Sequence, residues 1–227
     1  VKLPVGTHTF YNNFENCPHK AYHIYIARTI PFEMTPEMKW GNEVHKALEQ
    51  RITMGTALPD TMKAAEPIAG TFHSFSKVIP VICEYQLAMT QAGDPCDYGD
   101  YDKCFFRGKL DCVVMSTNRT DGWLVDWKTG NVREDPFELE CQALLLKVNQ
   151  PTLTSIAGEY FWLKTGTKGL RYDLTRTNHG NTYARLVKLR SEAEGYLQAG
   201  DFPKRKNPLC GWCPVTSCEH NTSHKRK

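Results

Sequence analysis

The sequence predicts a mixed α/β domain with at least one hairpin in its sheet. Three observations predict it. Stretches of helical and of strand periodicity follow in the order helix, helix, strand, strand, strand, helix, strand, strand, helix. Hydrophobic residues make up 41% of the chain and aromatics 11%, enough for a buried core. A length of 227 residues suits one domain. No apolar run approaches the ~18 to 20 residues of a membrane-spanning helix, so the composition speaks against such a span and equally against a disordered chain.

Each element has its own signal. Within residues 1–31, Phe14, Tyr22, Ile24 and Ile26 give one helix a partly apolar face, with Cys17-Pro18 inside it. Thr35-Pro36 reads as an N-cap followed by a proline at the first helical position, and Gly41, Val44, His45, Leu48 and Ile52 recur at helical spacing, which predicts a helix over 36–53. A second helix is expected over about 60–76, then a strand from Val78 to Met89 and a turn-rich loop from Gly93 to Asp102. Cys104–Met115 and Gly122–Thr129 read as the two strands of a hairpin closed by Ser116–Asp121. Phe137, Cys141, Leu144, Leu145 and Val148 form one stripe on a helix from Pro136 to Val148. Strands at Gly158–Lys164 and Gly169–Leu174 and an amphipathic helix at Asn181–Ala199 complete the order. From Pro203 on the chain is basic, cysteine-bearing and irregular.

Lys and Arg number 28 against 25 Asp and Glu, a net charge of +3 that permits an anionic partner without demanding one. Val1–Phe10 lacks the charged start and apolar stretch of a secretory signal, so the expected location is intracellular: cytoplasmic, that of a virus-infected host cell, or an organelle. Cys83, Cys96, Cys104, Cys112 and Cys141 stand apart and read as small buried hydrophobes. Cys210, Cys213 and Cys218 instead crowd together where three thiols can face one ion or cluster, and they ask for a fourth ligand.

On the strand Gly122–Thr129, alternation puts Leu124, Asp126 and Lys128 on one face and Trp123, Val125 and Trp127 on the other. On the partner strand Asp111 shares a face with Lys109 and Arg107, and the hairpin can bring it beside Asp126. Two adjacent carboxylates repel unless a cation lies between them, and carboxylate oxygens are the preferred ligands of Mg²⁺. A nearby lysine completes a hydrolytic site, holding or deprotonating the attacking water. Taken singly, Asp-x-Lys is more often a surface pair, and His45 a satisfied histidine on a buried helical stripe.

The wider order of residues carries more. Gly41-Asn42-Glu43-Val44-His45, Gly108-Lys109-Leu110-Asp111, Asp126-Trp127-Lys128-Thr129-Gly130 and Gln142 together resemble the RecB-type nucleases of the PD-(D/E)xK superfamily, including the iron-sulfur exonucleases of the AddB and CRISPR-associated type. The resemblance runs over roughly residues 10–218. Leu146 stands where that family has a tyrosine four residues after the glutamine. The resemblance implies a restriction-endonuclease-like core with a mixed central sheet flanked by helices. It implies that His45, Asp111, Asp126 and the carbonyl of Trp127 bind Mg²⁺ or Mn²⁺, that Lys128 positions and activates water, and that Gln142 orients Lys128 or the water.

The iron-sulfur members carry one cysteine near the N-terminus and three near the C-terminus, a layout that Cys17-Pro18 and Cys210, Cys213 and Cys218 match. A 4Fe-4S cluster held by these four would join the two ends of the chain as a structural staple. The alternative is Zn²⁺ on the three clustered thiols with Cys17 or His220. On this reading residues 1–227 form a single nuclease domain, with 1–35 and 200–218 as an iron-sulfur subregion and 219–227 as a basic tail.

Lys204, Arg205 and Lys206 flank the cysteine group and can track phosphates, with Trp212 nearby to stack bases. Lys225-Arg226-Lys227 reads more readily as a solvated tail. The expected function is a metal-dependent DNA exonuclease acting on single strands or ends in replication, recombination or repair. The alternatives are a structure-selective endonuclease and a non-catalytic DNA-binding subunit. With no Gly-x-x-x-x-Gly-Lys-Ser/Thr loop in the sequence, a motor, if needed, comes from a helicase or recombination partner.

Overall fold

The computed structural model describes residues 2–175 and 179–222. The chain divides into two compact units, Val1–Glu33 with Tyr183–Lys227, and Met34–Thr182. Lys225–Lys227 lies outside the described residues.

The larger unit is built on a five-stranded mixed sheet of order β1-β2-β3-β4-β5. β1 (Val81–Thr90), β2 (Cys104–Met115) and β3 (Asp121–Lys128) form an antiparallel meander. α5 (Pro136–Asn149) then carries the chain across, so that β4 (Ser155–Trp162) runs parallel to β3 before β5 (Thr167–Asp173) turns back antiparallel. The hairpin of β2 and β3 is the expected one. Its turn is held by Ser116, whose Oγ accepts from the backbone N–H groups of Thr120 and Asp121 at 3.1 and 2.9 Å.

The expected alternation along β3 also holds. Val125 and Trp127 are buried in the cluster that the sheet forms with α3 (Pro36–Met54) and α4 (Glu66–Ser76), through Val44, Leu48, Ile52, Ala69 and Phe72, with Trp123 packed at its edge. The opposite face of the sheet meets α5. A Cβ at Gly122 would lie 3.4 Å from Leu146, and one at Gly108 3.0 Å from Leu145, so the glycines allow the helix to press on the strands.

The β2–β3 ladder ends at Cys112↔Val125. Beyond that pair β2 remains bonded to β1 and β3 to β4, so the two central strands part at Asp111 and Asp126. The fork opens between the residues that the sequence singles out.

Differences from expectation have local causes. The first helix of the chain is interrupted: α1 (His8–Asn16) stops and α2 (Pro18–Ala21) begins after Cys17, which is extended at φ −165° and ψ 104° because a residue before proline is disfavoured in the α region. A single π-helical turn, Tyr22–Ile26, follows. The stretch 60–76 opens as a 3₁₀ turn, Asp60–Ala65, before α4. β1 starts at Val81, after Pro80, since proline cannot donate to a ladder. Cys104, Cys112 and Cys141 are buried as expected, but Cys83 and Cys96 are partly exposed.

The smaller unit contains α1, α2, the π turn, α6 (His179–Ala199) from Tyr183 on, and a 3₁₀ turn at Pro208–Trp212. An aromatic cluster centres it: Phe14 lies 5.9 Å from Tyr196, and Tyr22 stacks on Phe202 at 4.6 Å. No helix among the described residues is long and apolar enough to cross a membrane.

Candidate active site

Three side chains of the larger unit bring potential metal ligands within 4.8 Å of one another: His45 on α3, Glu84 on β1 and Asp111 on β2. His45 Nδ1 is 3.3 Å from Asp111 Oδ1 and 3.6 Å from Glu84 Oε1. Oxygen ligands about 2.1 Å from one Mg²⁺ lie at most about 4.2 Å apart, so these spacings suit a single small cation. Two carboxylates and one imidazole are also a donor set that Mg²⁺ or Mn²⁺ accepts.

Glu84 adopts φ +53°, a left-handed conformation inside a strand that costs about 1 to 2 kcal/mol for a side-chain-bearing residue. It sits between Cys83↔Cys112 and Tyr85↔Leu110 in the ladder, which places it opposite Asp111. Its carboxylate is also paired with Lys109. Burial opposes charge on Glu84, but His45 and Lys109 outweigh it and hold its pKa down. Burial likewise disfavours the charged imidazole of His45, yet Asp111 and Glu84 push its pKa up to about 10. The two acidic side chains thus favour the protonated form of the imidazole that lies between them.

Asp111 Oδ2 accepts from the backbone N–H of Trp127 at 2.9 Å. The Trp127 carbonyl, in turn, lies 3.1 Å from His45 Nε2. Asp126 is buried, and burial together with the charge of Asp111 pushes its pKa up to about 7 against the pull of Lys128. Lys128 Nζ lies 2.8 Å from Asp126 Oδ1 and 2.9 Å from Glu138 Oε2. Burial works against its charge, but the two carboxylates outweigh burial and raise its pKa, so the ammonium persists at neutral pH.

Gln142 Nε2 donates to Asp126 Oδ2 at 2.8 Å, so it orients the carboxylate whose other oxygen pairs with Lys128. Leu146 is buried in the core. A tyrosine does reach the lysine from another element. Tyr160 on β4, opposite Asp126 in the parallel register, donates its hydroxyl to the Asp135 carbonyl at 2.7 Å and to Glu138 Oε2 at 3.2 Å, and Lys128 Nζ lies 5.2 Å from its ring centre.

Of the residues expected from the sequence, His45 and Asp111 meet in the three-residue group, whereas Asp126 lies outside it and contacts Lys128 and Gln142; Glu84, Glu138 and Tyr160 join these contacts without having been expected. Glu138 had a signal: it precedes Gln142 by four residues, one helical turn on the same face. Glu84 had none without the β1–β2 register.

In the smaller unit Cys17, Cys210, Cys213 and Cys218 line one cavity. The backbone N–H of Asn207 donates to Cys210 Sγ at 3.3 Å. Burial raises the pKa of the Cys213 thiol, and the neighbouring Cys17 and Cys218 add to the rise. Lys204 and Arg205 line the same cavity but are engaged within the unit: Lys204 pairs with Glu219 at 2.6 Å and Arg205 donates to the Glu15 carbonyl at 2.7 Å. Lys206 is exposed.

Residues 7–218 match the family model described as the PD-(D/E)XK nuclease superfamily. The Gene 69 protein of Mycobacterium phage L5 is 34% identical over 120 residues, 49% of this chain. The match spans 39% of that phage protein's length. The crystal structure of SSO0001 superposes with a TM-score of 0.52 at 12% identity, over 97% of this chain and 88% of the other. A candidate exonuclease from Eubacterium rectale gives 0.52 at 14% identity, over 92% and 87%. These two likenesses establish the fold.

Proposed function

Because this chain belongs to the PD-(D/E)XK nuclease superfamily, we propose that it is an Mg²⁺- or Mn²⁺-dependent deoxyribonuclease that works as an exonuclease on single strands or DNA ends. The observation that carries the reading is the meeting of His45, Glu84 and Asp111 beside the Asp126–Lys128 pair at the fork of β2 and β3. A divalent cation held there would offset the charge that develops on the phosphate during hydrolysis.

The chain's own residues divide the remaining work. Asp111 and Glu84 would supply hard oxygen ligands to such a cation, and His45 would add a nitrogen ligand as the neutral imidazole. The Trp127 carbonyl, 3.1 Å from His45 Nε2, would be a backbone oxygen available to the same cation. Lys128, charged and held between Asp126 and Glu138, presents hydrogen-bond donors to the attacking water or a phosphate oxygen. Gln142 keeps Asp126 aimed into the fork.

The proposal extends to a 4Fe-4S cluster on Cys17, Cys210, Cys213 and Cys218. All four cysteines line one cavity of the smaller unit, and this shared lining is what supports a single group bound by them. Protein purified without oxygen is expected to be brown and to contain iron and sulfide; stoichiometric zinc without iron would discard the cluster. The phage relative supports a role in a virus-infected host cell.

The function is tested with DNA labelled separately at its 5′ and 3′ ends, single- and double-stranded, with Mg²⁺ or Mn²⁺ and Asp126→Asn as control. Progressive shortening by the wild type alone is the expected result and gives the polarity. Cutting of circular DNA would replace the exonuclease by an endonuclease. Absence of cleavage of every substrate by folded protein would leave a DNA-binding subunit.

A further inference from the structure

The carboxyl ends of the parallel strands β3 and β4 open onto a cleft of the larger unit. Lys128 pairs with Trp162, and the backbone N–H of Leu163 donates to the Lys128 carbonyl at 2.9 Å, so Thr129 and Lys164 leave the two strands side by side. Parallel strand ends are where open α/β sheets present ligands. Two adjoining cavities of ≈ 450 and ≈ 490 Å³ lie here, and Trp40, Thr129 and Lys164 line both. Each lies in the size range of a small-molecule site.

Trp40 precedes Gly41 on α3, and a Cβ at Gly41 would lie 3.5 Å from Thr129 Oγ1. Trp40 is 38% exposed. The inner cavity is walled by Val44, Met62 and Ala65, an apolar setting for one face of a flat ring. Lys164 is exposed at the rim, and Gly130 has open space at its Cα. Glu37 also lines the outer cavity, and Lys164 is the cationic residue that borders both.

We propose that Trp40 and Lys164 form a nucleotide subsite next to Lys128: Trp40 stacks one base of single-stranded DNA and Lys164 pairs with its phosphate. The observation behind it is an exposed indole and an exposed ammonium on one cleft that starts one residue after Lys128. A base needs an aromatic face, and its phosphate needs a cation within reach; the cleft offers both. The subsite rests on the nuclease reading above. It adds to that reading a preference for unpaired DNA, because a base stacked on protein is not stacked in a duplex.

The test is the binding of fluorescent oligo-dT, by anisotropy in EDTA, to the whole chain as wild type, Trp40→Ala, Trp40→Phe and Lys164→Ala. An abasic oligonucleotide of the same length serves as the second probe. Trp40→Ala is expected to weaken oligo-dT about ten-fold and leave the abasic strand unchanged, with Trp40→Phe restoring most of the loss. Lys164→Ala is expected to weaken both probes and to lower the salt slope by about 0.7. Unchanged oligo-dT affinity in Trp40→Ala, or equal losses for both probes, would overturn the subsite alone. Failure of folded wild type to bind either probe would overturn the nuclease reading together with it.

Discussion

The backbone N–H of Trp127 donates to Oδ2 of Asp111 at 2.9 Å, where the ladder between their strands has already ended. A side chain thus takes the place of the next backbone acceptor. One oxygen of Asp111 is fixed to the strand that carries Asp126 and Lys128, while the other faces His45 at 3.3 Å. The fork in the sheet and the candidate metal group are one feature: the strands separate, and Asp111 spans the gap.

Removing the charge of Asp111 should therefore disable the group without unfolding the chain. Asp111→Asn keeps an acceptor for the Trp127 N–H but loses a charged ligand. Its Mn²⁺ affinity, titrated by calorimetry, is expected to fall by at least the 10- to 100-fold (order of magnitude) that even outer-shell changes produce. Glu84→Gln should behave similarly. Unchanged affinity in both variants would remove this group from metal binding.

Glu138 makes a different prediction. It holds Lys128 at 2.9 Å and lies outside the three-ligand group. Glu138→Gln should lower the rate of DNA cleavage roughly ten-fold, as expected when one charge-assisted hydrogen bond to a working group is weakened. Mn²⁺ affinity should stay at the wild-type value. A matching loss of metal affinity would show that Glu138 acts on the ligands rather than on Lys128.

The sequence displays what is periodic or contiguous. Alternation along β3 separates Asp126 and Lys128 from Trp123, Val125 and Trp127, and helical spacing places His45 on the Val44–Leu48–Ile52 side of α3. Glu84 is invisible by the same rules, because its role depends on which strand lies beside β2 and on a left-handed backbone that no local residue pattern announces. Tyr160 arrives through the parallel register of β3 with β4, a contact set by a crossover helix. The split at Cys17 was readable from Pro18 alone; the rule that keeps a pre-proline residue out of the helix overrides the continuous apolar stripe.

The cysteine group makes a prediction confined to the smaller unit. Cys17 caps the start of α2, and Cys210 lies in the 3₁₀ turn Pro208–Trp212. Cys17→Ser should abolish the iron and sulfide content and expose residues 203–222 to limited proteolysis, since a crosslink between distant parts of a chain chiefly restricts its unfolded forms. Mn²⁺ binding at His45, Glu84 and Asp111 should survive. Full iron content in Cys17→Ser would take this residue out of the ligand set.

Phe72 connects the core to the site. Its ring is buried on α4 and lies 5.2 Å from those of Trp123 and Trp127 and 6.0 Å from that of Phe161. Truncating such a ring leaves a cavity as well as lost burial, and Phe72→Ala should cost about 3 to 5 kcal/mol of stability in urea unfolding. The effect should reach the metal group, because the residue whose ring loses its neighbour is Trp127, whose backbone holds Asp111 and His45 from two sides. Phe72→Ala is expected to bind Mn²⁺ more weakly even where it is fully folded, and Phe72→Leu, which keeps most of the volume, to lie between it and the wild type. Equal metal affinity in folded Phe72→Ala would show that the backbone of β3 is held by its ladder with β4 and not by the aromatic cluster.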